Sequence, residues 1–205
     1  MERRKSVPLS IPIQQTPGPK GRGMGYFGTQ LRVGLSRMLL WIFHVQVSYS
    51  DSSIKRFQKG QVLVYSNHVS LIDGLLIALA SPVPLVFAVD TAYSRHSPIA
   101  RYGMAILTMF GFGRIIPIDS KYPFGMRALY RAMLEGESVM IFPEGRISKT
   151  GESLPMQPGI EWLRSRCYVP EIQVSIRGAE RSRLFAKRGN EWWPRITLSF
   201  SISRT

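Results

Sequence analysis

Two side chains five positions apart, His68 and Asp73, are the residues of this chain best suited to acid–base chemistry. On one regular helix, residues at this spacing lie about 140° apart around the axis and do not face each other. If His68 lies in the turn after a strand and Asp73 begins the next helix, the carboxylate accepts a hydrogen bond from one ring nitrogen. The other nitrogen is then free to act as a base towards a hydroxyl group. Taken alone, the pattern is weak and favours a hydrogen-bonded loop histidine beside an aspartate that starts a helix.

The elements predicted around this pair alternate between strand and helix. Apolar runs typical of buried strands occur at 61–65, 84–89, 114–118, 139–142, 172–176 and 195–201. Helices are predicted between them at 71–80, 98–109, 124–134 and 159–166. This alternation predicts an α/β fold, with a mostly parallel sheet flanked by helices.

A second polar motif, Pro143-Glu144-Gly145-Arg146, directly follows the apolar run at 139–142. It places a carboxylate and a flexible backbone at the carboxyl end of a predicted strand. In open α/β sheets this edge is where ligands bind. Two polar motifs, each following an apolar strand, favour a functional site over ordinary loop packing.

Together, Asn67-His68-x4-Asp73 and Phe142-Pro143-Glu144-Gly145 resemble the first and third motifs of the PlsC-type glycerolipid acyltransferases. Members of that family esterify lysophospholipids from acyl thioesters. The resemblance extends from about residue 62 to about residue 197. Within the family, the segments 142–148, 177–180 and 194–198 are most similar to the acyltransferase domain of the bacterial 2-acylglycerophosphoethanolamine acyltransferases.

The resemblance implies acyl transfer from acyl-CoA or acyl carrier protein to the free hydroxyl of a lysophospholipid, with no metal and no cofactor. His68 is expected to act as the base and Asp73 to orient it. The guanidinium of Arg146 matches phosphate oxygens, and the amide of Asn67 is a candidate oxyanion donor. The motif residues predicted to bind substrate are Asn67, Glu144, Gly145 and Arg146.

The second motif, 113–119, departs from the family pattern. It ends in Asp119, where the family usually has an arginine that holds the acceptor phosphate. A carboxylate there would repel the phosphate monoester of lysophosphatidate and would tolerate the ammonium of an ethanolamine headgroup. Arg114 or Lys121 would restore positive charge, so both acceptors stay open, and Asp119 is predicted to contact the acceptor. The fourth motif also departs, with Glu-Ile-Gln-Val at 171–174.

The charge balance points to a polyanionic partner. The chain has 27 Lys and Arg against 13 Asp and Glu, a formal net charge of +14. Nucleic acid, an anionic membrane and an acidic carrier protein all fit this excess. No helix-turn-helix, zinc-finger or RNP pattern is present, so a membrane surface is preferred and no nucleic acid is expected. The single Cys167 excludes an internal disulfide and a cysteine-based zinc site.

Three segments are predicted along the chain: a disordered basic leader at 1–27, a membrane-interface helix or segment at 28–49, and an acyltransferase domain at 50–205. The apolar run 38–47 is too short to cross a bilayer and suits an interfacial helix. An ordinary core helix running into a strand at 45–49 fits equally well. The leader lacks the continuous apolar stretch of a signal peptide, so a peripheral or monotopic protein on the cytoplasmic face is expected.

Two alternatives to the leading hypothesis remain. One is an acyltransferase that acts on another lysolipid or on an aminolipid. The other is a non-catalytic lipid- or nucleic-acid-binding module that retains the motifs. The intact His68, Asp73 and Glu144 argue against the second alternative, because such a module has no need for all three.

Overall fold

The computed structural model describes residues 26–90, 108–118, 124–148, 151–152 and 154–202. Asp119 lies outside these residues, as do the predicted leader 1–27 and the predicted helix 98–109 apart from the last two residues of each. The last two residues predicted for the leader instead begin a helix. In chain order the elements are α1 (Tyr26–Ile42), β1 (Val45–Tyr49), α2 (Asp51–Lys59), β2 (Leu63–Ser66), α3 (Asp73–Ala80), β3 (Leu85–Asp90), β4 (Gly113–Ile118), α4 (Phe124–Leu134), β5 (Val139–Ile141), α5 (Pro158–Arg166), β6 (Glu171–Arg177), a 3₁₀ turn (Ala179–Arg181) and β7 (Ile196–Ile202).

The described strands form one seven-stranded sheet with the order β1-β7-β6-β2-β5-β3-β4. Five of the neighbouring pairs are parallel, and only β6 and β7 run antiparallel. The prediction of a mostly parallel sheet flanked by helices is therefore confirmed. The crossovers that parallel neighbours require are supplied by the intervening helices.

Alternate residues of the central strands point to opposite faces of the sheet. Leu63 packs with α4 and α5 on one face, whereas Val64 packs with α1, α2 and α3 on the other. Val86 and Phe87 divide between the same two faces. Because both faces are covered, these strands are mainly apolar on both faces rather than alternating, and they become polar only at Ser66 and Asp90, where they end.

The segment predicted to lie at the membrane interface divides into a helix and a strand. Val45–Tyr49 forms β1, which pairs with β7 in register from Val45 opposite Ile196. The strand considered for 45–49 is therefore confirmed, and these residues belong to the sheet. In α1, Arg32, Ser36 and Leu40 are buried. The face of α1 away from them exposes Leu31, Met38, Trp41 and Ile42.

The strand directions bring several chain segments to one edge of the sheet. β2, β5 and β6 run parallel, so the residues that follow each of them lie at their shared carboxyl edge. β7 is antiparallel to β6 and therefore begins at this carboxyl edge. β1 is parallel to β7, so β1 also begins there, and α1, which precedes β1, ends at the same edge. Among the helices described, none is long and apolar enough to cross a membrane.

Candidate active site

Asp73 is the first residue of α3, and its carboxylate folds back over the turn that leaves β2. Its Oδ2 accepts hydrogen bonds from the backbone N–H groups of Val69 at 2.6 Å and Ser70 at 2.8 Å. The Ser70 hydroxyl donates to Oδ1. The positive end of the helix dipole also favours a negative charge at this position. These donors hold the carboxylate in one orientation, although it is fully buried.

His68 lies in the turn after β2 and contacts this carboxylate. Its Nδ1 is 2.9 Å from Oδ2 of Asp73, so the predicted hydrogen bond is confirmed. Because the carboxylate accepts, the neutral ring carries its proton on Nδ1. Nε2 is bonded by none of the residues that the structure describes, and 18% of the side chain is exposed. The arrangement gives an oriented imidazole with one nitrogen available to a substrate.

The ring of His68 is held from a second side. It stacks on Phe142, with centroids 4.0 Å apart and planes 17° from parallel. The backbone carbonyl of His68 accepts a hydrogen bond from the N–H of Ser148 at 2.7 Å. The two motifs that follow β2 and β5 are therefore in direct contact.

Glu144 is buried beside this pair, with 3% of its surface exposed. Burial raises the pKa of Glu144, and the Leu154 N–H and the charges of His68 and Arg146 oppose that shift. Its Oε2 has no hydrogen-bond partner among the described residues. A buried carboxylate oxygen without a partner is costly, so this atom is suited to accept a hydrogen bond from a bound molecule.

Gly145 and Arg146 follow Glu144 on the exposed side of the turn. Gly145 adopts φ +64°, and a Cβ there would lie 3.1 Å from Cγ of Gln157. Glycine is therefore favoured here by the left-handed backbone, and a larger residue would also have to displace the side chain of Gln157. The turn points Glu144 inwards and leaves Arg146 exposed.

Asn67 sits next to His68, but its amide bonds to the protein. Its Nδ2 donates to the carbonyl of Ile176 at 2.9 Å, and its Oδ1 accepts from the N–H of the same residue at 2.9 Å. The amide thus ties the His68 turn to the end of β6. Its substrate-binding role stays a prediction, for which one N–H of the amide is left.

Of the two cations proposed to compensate for Asp119, Arg114 is described and does not lie at this site. Arg114 is near the start of β4, at the opposite edge of the sheet, where its guanidinium pairs with Glu137. Lys121, like Asp119, is outside the described residues. Within the described ranges, no three His, Cys, Asp or Glu side chains are grouped to hold a metal ion.

Sequence reasoning missed three contributors to the site. Ser70 lies three residues before Asp73, and the Ser-x-x-Asp spacing of helix starts was a signal for it. Phe142 belongs to the Phe142-Pro143-Glu144-Gly145 motif, but it was given no role of its own. Phe185, whose carbonyl accepts from the N–H of Leu71 at 2.8 Å, gave no signal, because it belongs to a distant segment.

The chain also matches known proteins. A model of the family described as Acyltransferase matches residues 44–177, which is more than half of the chain. The chain belongs to this family. A curated 1-acyl-sn-glycerol-3-phosphate acyltransferase from Cocos nucifera is 26% identical over 151 residues, covering 69% of this chain and 44% of that protein.

A similar solved structure is that of the 1-acyl-sn-glycerophosphate (LPA) acyltransferase PlsC from Thermotoga maritima. The TM-score is 0.58 at 18% identity, covering 84% of this chain and 66% of that one. At this identity, the likeness concerns the fold. The chain spans less than half of the length of the curated relative, while the family match includes both the His68 and the Glu144 motifs.

Proposed function

We propose that this chain transfers a fatty acyl group from an acyl thioester, acyl-CoA or acyl carrier protein, to the free hydroxyl of a lysophospholipid. The observation that carries the proposal is the hydrogen bond between Nδ1 of His68 and Asp73, which leaves Nε2 available on a partly exposed side chain. Membership of the Acyltransferase family supports it. Both similar proteins are named for acyl transfer to a 1-acylglycerol phosphate.

The residues support direct transfer without an acylated side chain. Nε2 of His68 removes the hydroxyl proton of the acceptor as its oxygen attacks the thioester carbonyl carbon. The tetrahedral intermediate collapses, the carbon–sulfur bond breaks, and the thiolate takes the proton from the imidazolium. Asp73 stabilises that imidazolium, and the exposed face of the ring admits the substrate. A positioned base typically contributes about 10²–10⁴ in rate.

The acceptor is proposed to bind beside Glu144. Its unpartnered Oε2 would accept a hydrogen bond from a glycerol hydroxyl, and the exposed Arg146 would contact the phosphate. Two headgroups stay in the proposal. The names of the relatives favour lysophosphatidate, whereas the carboxylate of Asp119 favours a zwitterionic lysophosphatidylethanolamine-like acceptor.

A membrane surface is proposed as the source of the acceptor. The exposed residues Leu31, Met38 and Ile42 lie on one side of α1, within about 40° of each other at 100° per residue. Apolar side chains on the outer face of a helix suit insertion into the interface of a bilayer. The excess of positive charge suits anionic lipids.

The test compares one substitution at two histidines. His68→Asn removes the base, and His44→Asn makes the same change at an exposed histidine whose φ of 51° asparagine tolerates. Purified proteins receive a labelled acyl thioester, on CoA or on carrier protein, together with lysophosphatidate, lysophosphatidylethanolamine or lysophosphatidylglycerol. Wild type and His44→Asn should form diacyl product, and His68→Asn should be at least about 100-fold slower while remaining folded. No product from wild type with any pair of substrates would refute the proposal.

A further inference from the structure

The long connection between β6 and β7, residues 178–195, lies at the same edge of the sheet as His68. It begins directly after β6, whose carboxyl end is at that edge. Its own hydrogen bonds fold it back on itself: Arg183 N–H donates to the carbonyl of Glu191 at 2.7 Å, and Glu191 N–H donates to that of Arg181 at 2.9 Å. We call residues 178–195 the tryptophan loop, after Trp192 and Trp193.

The tryptophan loop is attached to the end of α1. The indole N–H of Trp193 donates to the carbonyl of Ile42 at 2.6 Å. Its ring stacks on Phe43, with centroids 6.3 Å apart. The exposed apolar side of α1 and the tryptophan loop are therefore parts of one connected surface.

The same loop contacts both motifs of the candidate active site. The carbonyl of Phe185 accepts from the N–H of Leu71, in the turn between His68 and Asp73. Nζ of Lys187 donates to the carbonyl of Ile147 at 3.0 Å, just after Glu144-Gly145-Arg146. A molecule bound to the outer side of the loop is therefore held next to the site.

The outer side of the loop combines large apolar side chains with positive charge. Trp192 is 61% exposed, and Leu184 and Trp193 of the same loop are also exposed. The loop and the preceding Arg177 carry six Lys and Arg against two Glu. The guanidinium of Arg183 lies 4.6 Å from the ring centroid of Trp192. Exposed indoles among cations are typical of surfaces that bind the interfacial region of anionic membranes.

We propose that the tryptophan loop is a second membrane-docking element, which binds an anionic bilayer together with the end of α1. An acidic protein would match the charge as well, but not the exposed indole and leucine that continue the apolar side of α1. Docking at this edge sets the His68 turn against the lipid surface, so that a lysolipid reaches it without crossing water. This last consequence rests on the proposed function, whereas membrane binding does not.

The experiment measures co-sedimentation of the whole chain with vesicles of phosphatidylcholine plus phosphatidylglycerol, and with phosphatidylcholine vesicles alone. Trp192→Ala removes an indole that is mostly exposed and lies against the guanidinium of Arg183. Tyr168→Ala is the matched control, because Tyr168 is 99% exposed and precedes β6, at the opposite edge of the sheet. Arg183→Gln/Arg188→Gln tests the charge.

Trp192→Ala should weaken binding to the mixed vesicles about tenfold, and each lost arginine should weaken it about fivefold at low salt. Tyr168→Ala should bind like wild type, and all variants should keep the wild-type thermal unfolding midpoint. Equal vesicle binding by Trp192→Ala and wild type would overturn the inference. The inference would also be overturned if Trp192→Ala bound acyl carrier protein more weakly than wild type but bound vesicles equally well.

Activity separates this inference from the proposed function. With a detergent-dispersed acceptor, Trp192→Ala should turn over like wild type, and with the acceptor in vesicles it should be slower. If wild type binds vesicles through Trp192 but acylates nothing, the docking surface stands and the acyltransferase proposal fails. If wild type acylates lysolipids, and Trp192→Ala binds vesicles and acylates the lysolipid in them as wild type does, the function stands and the docking surface fails.

Discussion

The replacement Asp73→Asn separates the charge of the carboxylate from its role in holding the turn. An amide has the shape of a carboxylate, and its oxygen would take the place of Oδ2. There it would still accept from Val69 N–H, Ser70 N–H and Nδ1 of His68. The amide nitrogen would donate to the Ser70 hydroxyl, which in the wild type donates to Oδ1 of Asp73. We therefore expect the variant to fold and to keep the imidazole in place.

The expected loss is in the rate of the chemical step. When His68 takes the acceptor proton, Asp73 stabilises a positive charge across a contact of 2.9 Å. A hydrogen bond to a charged group contributes about 1.5–3 kcal/mol, and the attraction of two charges near a protein surface reaches about 4 kcal/mol. Losing about 2–4 kcal/mol of that stabilisation lowers kcat roughly 30- to 900-fold. KM should change little, because the carboxylate is buried away from the substrate.

The comparison variant is Asp73→Ala, which removes the acceptor altogether. The N–H groups of Val69 and Ser70 would then be buried without partners, at about 1–3 kcal/mol each. A loss of about 2–6 kcal/mol is a large part of the stability of a domain. Asp73→Ala should thus unfold in markedly less urea, whereas Asp73→Asn should lose mainly activity.

The assay measures kcat and KM with a detergent-dispersed lysophospholipid, alongside urea unfolding of the same preparations. A kcat for Asp73→Asn within about threefold of wild type would refute the role assigned to the carboxylate, since that is under 1 kcal/mol. An Asp73→Asn protein as unstable as Asp73→Ala would refute the claim that the amide replaces the carboxylate in the turn.

Three further variants test the surroundings of His68. Because burial raises the pKa of Glu144, its charged form is disfavoured in the folded state. At pH values above that pKa, Glu144→Gln should therefore have a higher melting temperature than wild type, and in acid the difference should vanish. Gly145→Ala places a side chain at φ +64° against Gln157 and should cost about 1–2 kcal/mol in urea unfolding. Asn67→Ala leaves the N–H of Ile176 without its acceptor. It should lower the free energy of unfolding by about 1–3 kcal/mol, and its effect on kcat should be larger than its effect on KM. A melting-temperature gain in Glu144→Gln that persists in acid, or wild-type stability in either of the other two, would contradict these expectations.

Much of the fold could be predicted because the signals are local. The apolar runs before His68 and before Pro143 each marked a buried strand, and the structure places β2 and β5 there with shifts of one or two residues. The hydrogen bond from His68 to Asp73 was also predictable, since a turn and one helix start determine it.

The other contacts of the site could not be predicted, because they depend on which strands become neighbours. Asn67 was expected to face substrate, yet β6 pairs with β2 and brings Ile176 within reach of the amide. Arg114 was one of two cations considered as compensation for Asp119, although the residue lies near the start of β4 beside Glu137. Residue type alone does not show at which edge of a sheet a side chain lies.

The turn that carries His68 is fastened to three distant parts of the chain, through Ile176, Ser148 and Phe185. Closing loops of this length is entropically costly, and contacts across them favour slow folding. The motif residues are therefore synthesised long before the last of their supports. A nascent chain that lacks the tryptophan loop would contain His68 and Asp73 without the carbonyl of Phe185, which is one of the three supports of their turn. If the acyl transfer proposed above needs all three supports, the activity would begin only once the last of them has been synthesised and folded into place.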